Sequence, residues 1–350
     1  MVQAITVDAL ILIVIFSGSA LLTGVVRRYA ERGAVLDVPN DRSLHSVPTP
    51  RGGGAAIVFM VLLAVAWLAT ERRLPPLGLV SALVIGGTAV ALVGWTDDHY
   101  PLSALTRVAA YLLAAAWAVH ALGGMSSFNL GFVRWEPGYV LGSAIAILFI
   151  AWLINLYNFM DGTDGIAGTQ AVCAGMAGFV LFLARGQPGL GMLSLAVAAA
   201  AAGFLLWNWP PARIFMGDVG SCFLGYTFGV LAMAGEKSGA IPLVLWTVIL
   251  SVFFWDATFT LVRRMLTGER WYRAHRSHAY QRLAQLGWSH RRVAVMVLVY
   301  NVVVLWPLVG LGMLWNNGLM LVVGLSAMLF AAVWVAVHRR HRQQRGTAGS

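Results

Sequence analysis

Long apolar runs separated by short polar connectors recur along the whole chain. A helix crossing a hydrocarbon core of ~30 Å needs roughly 17–25 apolar residues. Eleven stretches meet that length: 9–26, 53–70, 78–95, 105–122, 139–156, 167–184, 189–209, 219–235, 241–262, 293–314 and 318–337. The pattern predicts an all-α fold, a polytopic transmembrane bundle of about eleven spans (ten to eleven). The first span has no basic residue before it and "RR" after it, the reverse of a signal peptide, and reads as retained. With no repeat of fixed period and no low-complexity tract, residues 1–338 read as one integral-membrane domain and 339–350 as a basic, disordered cytoplasmic tail.

Composition agrees. Of 350 residues 59% are hydrophobic and only 11% charged, with a mean hydropathy of +0.76, which excludes a water-soluble globule. Cys173 and Cys222 fall within predicted spans without metal-ligand spacing and read as buried thiols. The net charge of +10 does not form one patch, so a nucleic-acid partner is excluded and the charge reports topology instead. With the N-terminus outside, the inward segments carry 19 of the 24 basic residues and the outward ones 5, which predicts N-terminus out and C-terminus in. The pair Arg72-Arg73 is a local exception.

Candidate chemistry sits on that inward side. Seven aspartates, Asp37, Asp41, Asp97, Asp98, Asp161, Asp164 and Asp218, lie in inward loops, whereas the outward loops read as ordinary turns. Adjacent carboxylates such as Asp97-Asp98 repel and are tolerated where a cation or hydrogen-bond network separates them, although a solvated cap is the plainer alternative. In "NLYNFMDGTDG", Asn155, Asn158 and Asp161 step by three and share a helix face if the helix continues. Asp164 follows past Gly162, and the glycines let backbone N–H groups approach a phosphate. Asp218, between two glycines in "FMGDVGS", suits either a helix N-cap or a hard oxygen ligand for Mg²⁺. In "HRSHAYQR", His275, Arg276, His278 and Arg282 offer phosphate donors within two helical turns and have no third soft ligand for zinc. Asp256 lies inside a predicted span, where a carboxylate needs a partner that the sequence leaves open.

Oxygen-rich loops, glycines, basic groups and a membrane interface together describe phosphoryl transfer, with Mg²⁺ neutralising a diphosphate and an acceptor resident in lipid. The motifs "DDHYPLSALTR", "NLYNFMDGTDGIAG", "FMGDVGS" and "HRSHAYQRL", in this order, resemble those of the polyprenyl-phosphate N-acetylhexosamine-1-phosphate transferase superfamily. The earlier "VPNDRSLHSVPTPRGGG" resembles that family's first cytoplasmic loop and adds His45 and Arg51 as substrate contacts.

The resemblance implies a bacterial inner-membrane enzyme that needs Mg²⁺, or Mn²⁺ in its place, and moves a sugar 1-phosphate from a UDP-sugar to undecaprenyl phosphate with release of UMP. It also implies catalytic roles for Asp97, Asp98, Asp161 and Asp218, metal binding by Asp218, Asp97 and Asp98, and substrate contacts by Asn155, Asn158, Asp164, His275, Arg276, His278 and Arg282. It is compatible with a homodimer. Ala279 follows His278, where the peptidoglycan phospho-muramoyl-pentapeptide transferase has a denser histidine run, so the looser loop points to the branch that starts O-antigen or other surface polysaccharides. Direct attack by the lipid phosphate is the expected mechanism, with an aspartyl intermediate as the alternative. A transporter would place its binding groups near the bilayer midplane on broken, repeated helices. A non-enzymatic anchor would leave the acidic loops unexplained.

Overall fold

The computed structural model describes residues 2–33, 36–37, 39, 47–74, 77–270 and 275–347, the side chains of 2–5 and 345–347 excepted. The fold is 78% helical. In chain order come α1 (Val2–Arg32), α2 (Gly54–Thr70), α3 (Leu77–His99), α4 (Ala104–Ala121), α5 (Tyr139–Met160), α6 (Ile166–Ala184), α7 (Pro188–Asn208) and α8 (Asp218–Lys237). There follow α9 (Leu243–Ile249), α10 (Ser251–Leu266), the short α11 (Ala279–Gln285), α12 (His290–Leu314) and α13 (Asn316–Gln344). Two antiparallel ribbons of two-residue strands, Leu36–Asp37 with Thr49–Pro50 and Phe128–Asn129 with Arg134–Trp135, pin loops at opposite ends.

Each of the eleven apolar stretches is helical, and among the described residues nine helices are long and apolar enough to cross a membrane unaided. Two stretches differ from a plain span. α2 has 17 residues and rises only ~26 Å at ~1.5 Å per residue. The stretch 241–262, expected as one straight helix, is broken at Leu250 into α9 and α10, which meet at 92°. A buried amide pair sits at this break. Gln170 Nε2 donates to the Ile249 carbonyl at 3.1 Å, and Asn301 Nδ2 donates to Gln170 Oε1 at 2.9 Å. Backbone groups exposed by a broken helix in lipid need such partners.

α8 is the hub, buried from Asp218 to Glu236 among α2, α3 and α5. Glycines permit the close approach: a Cβ on Gly54 would lie 2.3 Å from Gly220 Cα, and one on Gly94 would lie 2.4 Å from the Asp218 carbonyl oxygen. The second contact seats the end of α3 on the start of α8. At the opposite end of the bundle, Arg73 forms a two-pronged pair with Asp8 at 2.5 and 3.0 Å. That pairing accounts for Arg73 of the basic dipeptide on the side otherwise poor in cations.

Candidate active site

Contacts among the five motif loops gather them at one end of the bundle. Asp98, in the last turn of α3, accepts the backbone N–H groups of Asp218 (2.9 Å, Oδ1) and Val219 (3.2 Å, Oδ2). The first N–H groups of a helix lack intrahelical acceptors, so Asp98 caps α8 from a neighbouring helix. Gly217, at φ 77°, brings the chain in, and a Cβ there would lie 2.5 Å from Asp98 Oδ2. Asp218 therefore stands at the first helical position but does not cap its own helix.

The Asp218 carboxylate faces cations instead. The Arg51 guanidinium bridges Asp98 (Nε to Oδ1, 2.7 Å) and Asp218 Oδ1. Arg107, near the start of α4, donates to Asp97 Oδ2 at 2.7 Å and approaches Asp218 Oδ2 at 4.0 Å. Asp97 Oδ1 accepts the Leu102 N–H at 2.6 Å, closing the turn between α3 and α4. Asp161 caps the C-terminal end of α5, makes no hydrogen bond through its side chain to a described residue, and lies within electrostatic reach of Arg51, Asp98 and Asp218. Burial pushes its carboxyl well above the ordinary range, Arg51 draws it back, and the other carboxylates add repulsion. Burial opposes the charge of Arg51, but Asp218, Asp98, Asp37 and Asp161 outweigh it and raise its pKa.

The remaining acidic and amide candidates separate by role. Asn158 Nδ2 donates to Ser221 Oγ at 3.3 Å and joins α5 to the first turns of α8, beside the cluster. Asn155 turns back on its own helix, donating to the Ala151 carbonyl at 2.8 Å. Asp164 is a brace: Oδ2 accepts the Ala212 N–H at 3.0 Å and Oδ1 lies 3.1 Å from His290 Nδ1. Burial opposes its ionisation, yet these two bonds hold its pKa below the usual value. His45 lies outside the described residues.

The basic loop forms a second wall. His275, Arg276, Ser277 and Arg282 line a cavity of about 480 Å³ with Arg263 and Arg264 of α10. Burial, then the nearby His278, Arg264 and Arg263, push His275 down to about 3, so its imidazole is neutral at physiological pH. His278 is only 4% exposed and turns inward, with Nδ1 3.7 Å from Asp256 Oδ1 and its ring stacked on Tyr280. The loop docks on the acidic side through Tyr280, whose hydroxyl donates to the Phe159 carbonyl at 2.9 Å. Asp256 has a helix end as partner, accepting the N–H groups of Ala279 and Tyr280. A separate cavity of about 340 Å³, lined by Leu36, Asp37, Arg51, Asp98, His99 and Tyr100, opens beside the acid cluster.

Among the described residues no three His, Cys, Asp or Glu side chains converge as a ready-made metal cage. The donor chemistry nevertheless fits a hard dication. Four carboxyl groups, Asp97, Asp98, Asp161 and Asp218, gather around two guanidiniums, Arg51 and Arg107, in an all-oxygen set, and a bound dication would favour the ionised form that burial opposes at Asp161. Sequence reasoning overlooked Arg107 and Tyr280 as site residues. Both stand inside the family motifs, and the signal for Arg107 was a cation at the far end of the acidic loop.

The chain matches the family model described as glycosyl transferase family 4 over residues 80–236. It is 33% identical to the probable undecaprenyl-phosphate N-acetylglucosaminyl 1-phosphate transferase of Bacillus subtilis (strain 168), over 79% of this chain and 77% of that protein. It is 29% identical to the decaprenyl-phosphate N-acetylglucosaminephosphotransferase of Mycobacterium leprae, over 79% and 77% of the two chains. It is also 30% identical to the phospho-N-acetylmuramoyl-pentapeptide-transferase of Moorella thermoacetica, over 76% and 84%. With motif order, helical architecture and sequence similarity in agreement, the chain belongs to the polyprenyl-phosphate N-acetylhexosamine-1-phosphate transferase superfamily, within glycosyl transferase family 4.

Proposed function

We propose that the protein transfers an N-acetylhexosamine 1-phosphate from a UDP-sugar to undecaprenyl phosphate, releasing UMP, and that the product starts O-antigen or another surface polysaccharide. The observation that carries this reading is the meeting, at one membrane end, of a carboxylate cluster bridged by Arg51 and Arg107 with a cationic loop docked beside it. In this reading the site faces the cytoplasm of a bacterial cell, with the N-terminus outside and the C-terminus inside, on the strength of the charge bias.

The acceptor phosphate suits the cavity beside Arg51, whose lining residue His99 packs against the exposed Trp95 of α3. The donor diphosphate suits the space between the acid cluster and the segment carrying His275, Arg276 and Arg282. Mg²⁺, or Mn²⁺ in its place, fits Asp97 and Asp218, where it would neutralise the donor diphosphate. Asp98 is a weaker candidate ligand because both its oxygens hold α8. An oxygen of the acceptor phosphate forms a bond to the sugar-proximal phosphorus as the bond to the UMP oxygen breaks, and UMP leaves with that electron pair. A phosphate monoester with a second pKa of ~6 is largely dianionic at neutral pH, so no strong base is needed. Arg51 and Arg107 orient the phosphates and offset charge through donors fixed in advance. An aspartyl intermediate at Asp98 is disfavoured, since its oxygens are engaged by two backbone N–H groups and Arg51.

The test is UMP release by the purified protein with undecaprenyl phosphate, Mg²⁺ and a panel of UDP-sugars. A UDP-N-acetylhexosamine is expected to be the preferred donor. Preference for UDP-N-acetylmuramoyl-pentapeptide would move the protein to peptidoglycan synthesis, and no UMP from any donor would overturn the reading.

A further inference from the structure

Asp256 is 1% exposed on a membrane helix, where an unpaired carboxylate is costly. It is engaged on every side. Oδ1 accepts the Ala279 N–H at 2.9 Å and Oδ2 accepts the Tyr280 N–H at 3.3 Å, both from the first turn of α11. Thr260, one turn along α10, donates its hydroxyl to Oδ1 at 3.2 Å and itself receives the Trp334 indole N–H of α13 at 3.2 Å. On the other side of α11, the Tyr280 hydroxyl reaches the Phe159 carbonyl, two residues before Asp161. Gly162 makes room for it, since a Cβ there would lie 2.1 Å from that hydroxyl oxygen. A linked set of hydrogen bonds thus runs from α13 through Thr260, Asp256 and Tyr280 to the last turn of α5, beside Asp161.

We propose that Asp256 is a positioning residue: it grips α11 by its N-terminus and, through Tyr280, holds the cationic segment 275–282 at a fixed separation from the acid cluster. The segment is short, and every cationic candidate on it sits within a few residues of the gripped amides. A donor diphosphate spanning both walls needs that separation held, because a misplacement of ~1 Å can cost ~100-fold in rate. A buried carboxylate is well suited to such a grip, because its two oxygens are aimed by a rigid helix and the helix start supplies the compensating positive potential. The inference rests on the proposed transfer reaction only for its kinetic arm.

Two variants test it. Asp256→Asn keeps the shape but turns one acceptor oxygen into a donor facing a backbone N–H, and Tyr280→Phe removes only the bond to Phe159. The first readout needs no activity: tryptic cleavage of the Arg282–Leu283 bond, followed by mass spectrometry, in a protein whose Arg282 is buried in the docked state. Asp256→Asn is expected to speed that cleavage about tenfold and to raise the KM for UDP-sugar about tenfold, with the KM for undecaprenyl phosphate within about twofold of wild type. Tyr280→Phe is expected to move the same two quantities in the same direction by about threefold. Cleavage and donor KM at wild-type values in Asp256→Asn would overturn the proposal, and so would an equal rise in both KM values. If Asp256→Asn does not insert, unchanged cleavage in Tyr280→Phe overturns it alone. Wild-type protein that releases no UMP would sink the transfer reading and leave the cleavage arm to decide this one.

Discussion

Replacing Asp98 and Asp218 separately by Asn should distinguish a carboxylate that builds the site from one that works in it. Asp98 receives two N–H groups from the start of α8 at 2.9 and 3.2 Å and the Arg51 Nε at 2.7 Å. Asn at this position keeps one acceptor oxygen. The other becomes an NH₂ group opposite a donor, leaving one buried N–H unsatisfied at about 1–3 kcal/mol. The lost charge at the helix start adds about 0.3–1 kcal/mol. The pair with Arg51 adds little, because that side chain is 32% exposed. The total is about 1–4 kcal/mol, or a fall in Tm of about 3–8 °C at about 2 °C per kcal/mol.

Asp218→Asn removes no cap, since Asp218 accepts no backbone N–H of α8, and it should shift Tm by no more than about 2 °C. Its loss should fall on activity, by a factor of about 100 or more, because a neutral amide neither pairs with Arg51 nor serves a hard dication. The assay is thermal unfolding of both variants in the same detergent alongside UMP release across Mg²⁺ concentration. A stable Asp98→Asn together with a strongly destabilised Asp218→Asn would refute the assignment of the cap.

Further outcomes are expected. The His275 imidazole, near 6.5 when unfolded and pushed to about 3 in the fold, binds fewer protons in the native state. Its stabilisation is therefore present above about pH 6.5 and lost as pH falls toward 3, so wild type should lose more Tm than His275→Gln between pH 7 and 4, and parallel curves would disprove this. Gln170→Leu strands the Ile249 carbonyl at the break between α9 and α10 and leaves the Asn301 amide with only its bond to the Val297 carbonyl, at about 1–3 kcal/mol, and Gln170→Leu with Asn301→Leu should recover part of the loss in unfolding experiments. Single cysteines at Ser126 and Ser277 should respectively accept and refuse an impermeant thiol reagent added to intact cells, and the reverse pattern would invert the topology.

How much of this was legible beforehand follows from which forces act locally. The spans could be read because a run of apolar residues long enough for the hydrocarbon core has few other uses, and the gathering of motif loops followed from counting connections. The break at Leu250 could not, because "TVILSVFF" has neither proline nor glycine, and the exposed carbonyl is met by Gln170, itself held by Asn301, both far away in sequence. Asp164 looked like its neighbour Asp161 in a glycine-rich loop. Only the proximity of Ala212 and His290 makes it a brace.

The same limit governs the acids as a class, and it yields a rule for ranking them. Asp98, Glu236 and Asp256 each lie in a membrane helix and each accept two backbone N–H groups from another segment: those of Asp218 and Val219, of Asn129 and Leu243, and of Ala279 and Tyr280. A chain that starts a helix or turns inside a bundle has N–H groups with no water to meet them, and a carboxylate from a neighbour satisfies two at once. An acid so engaged is an architectural element whose removal should be read first in stability. Asp97 is intermediate, with one oxygen on the Leu102 N–H and one on Arg107. Asp218, whose carboxylate is met only by side chains, and Asp161, whose carboxyl makes no hydrogen bond to a described residue, present oxygens that the backbone does not use. Those two, with Asp97 beside them, are where a cationic or phosphorylated ligand has most to offer, which narrows the chemistry to fewer residues than the acidic motifs alone contain.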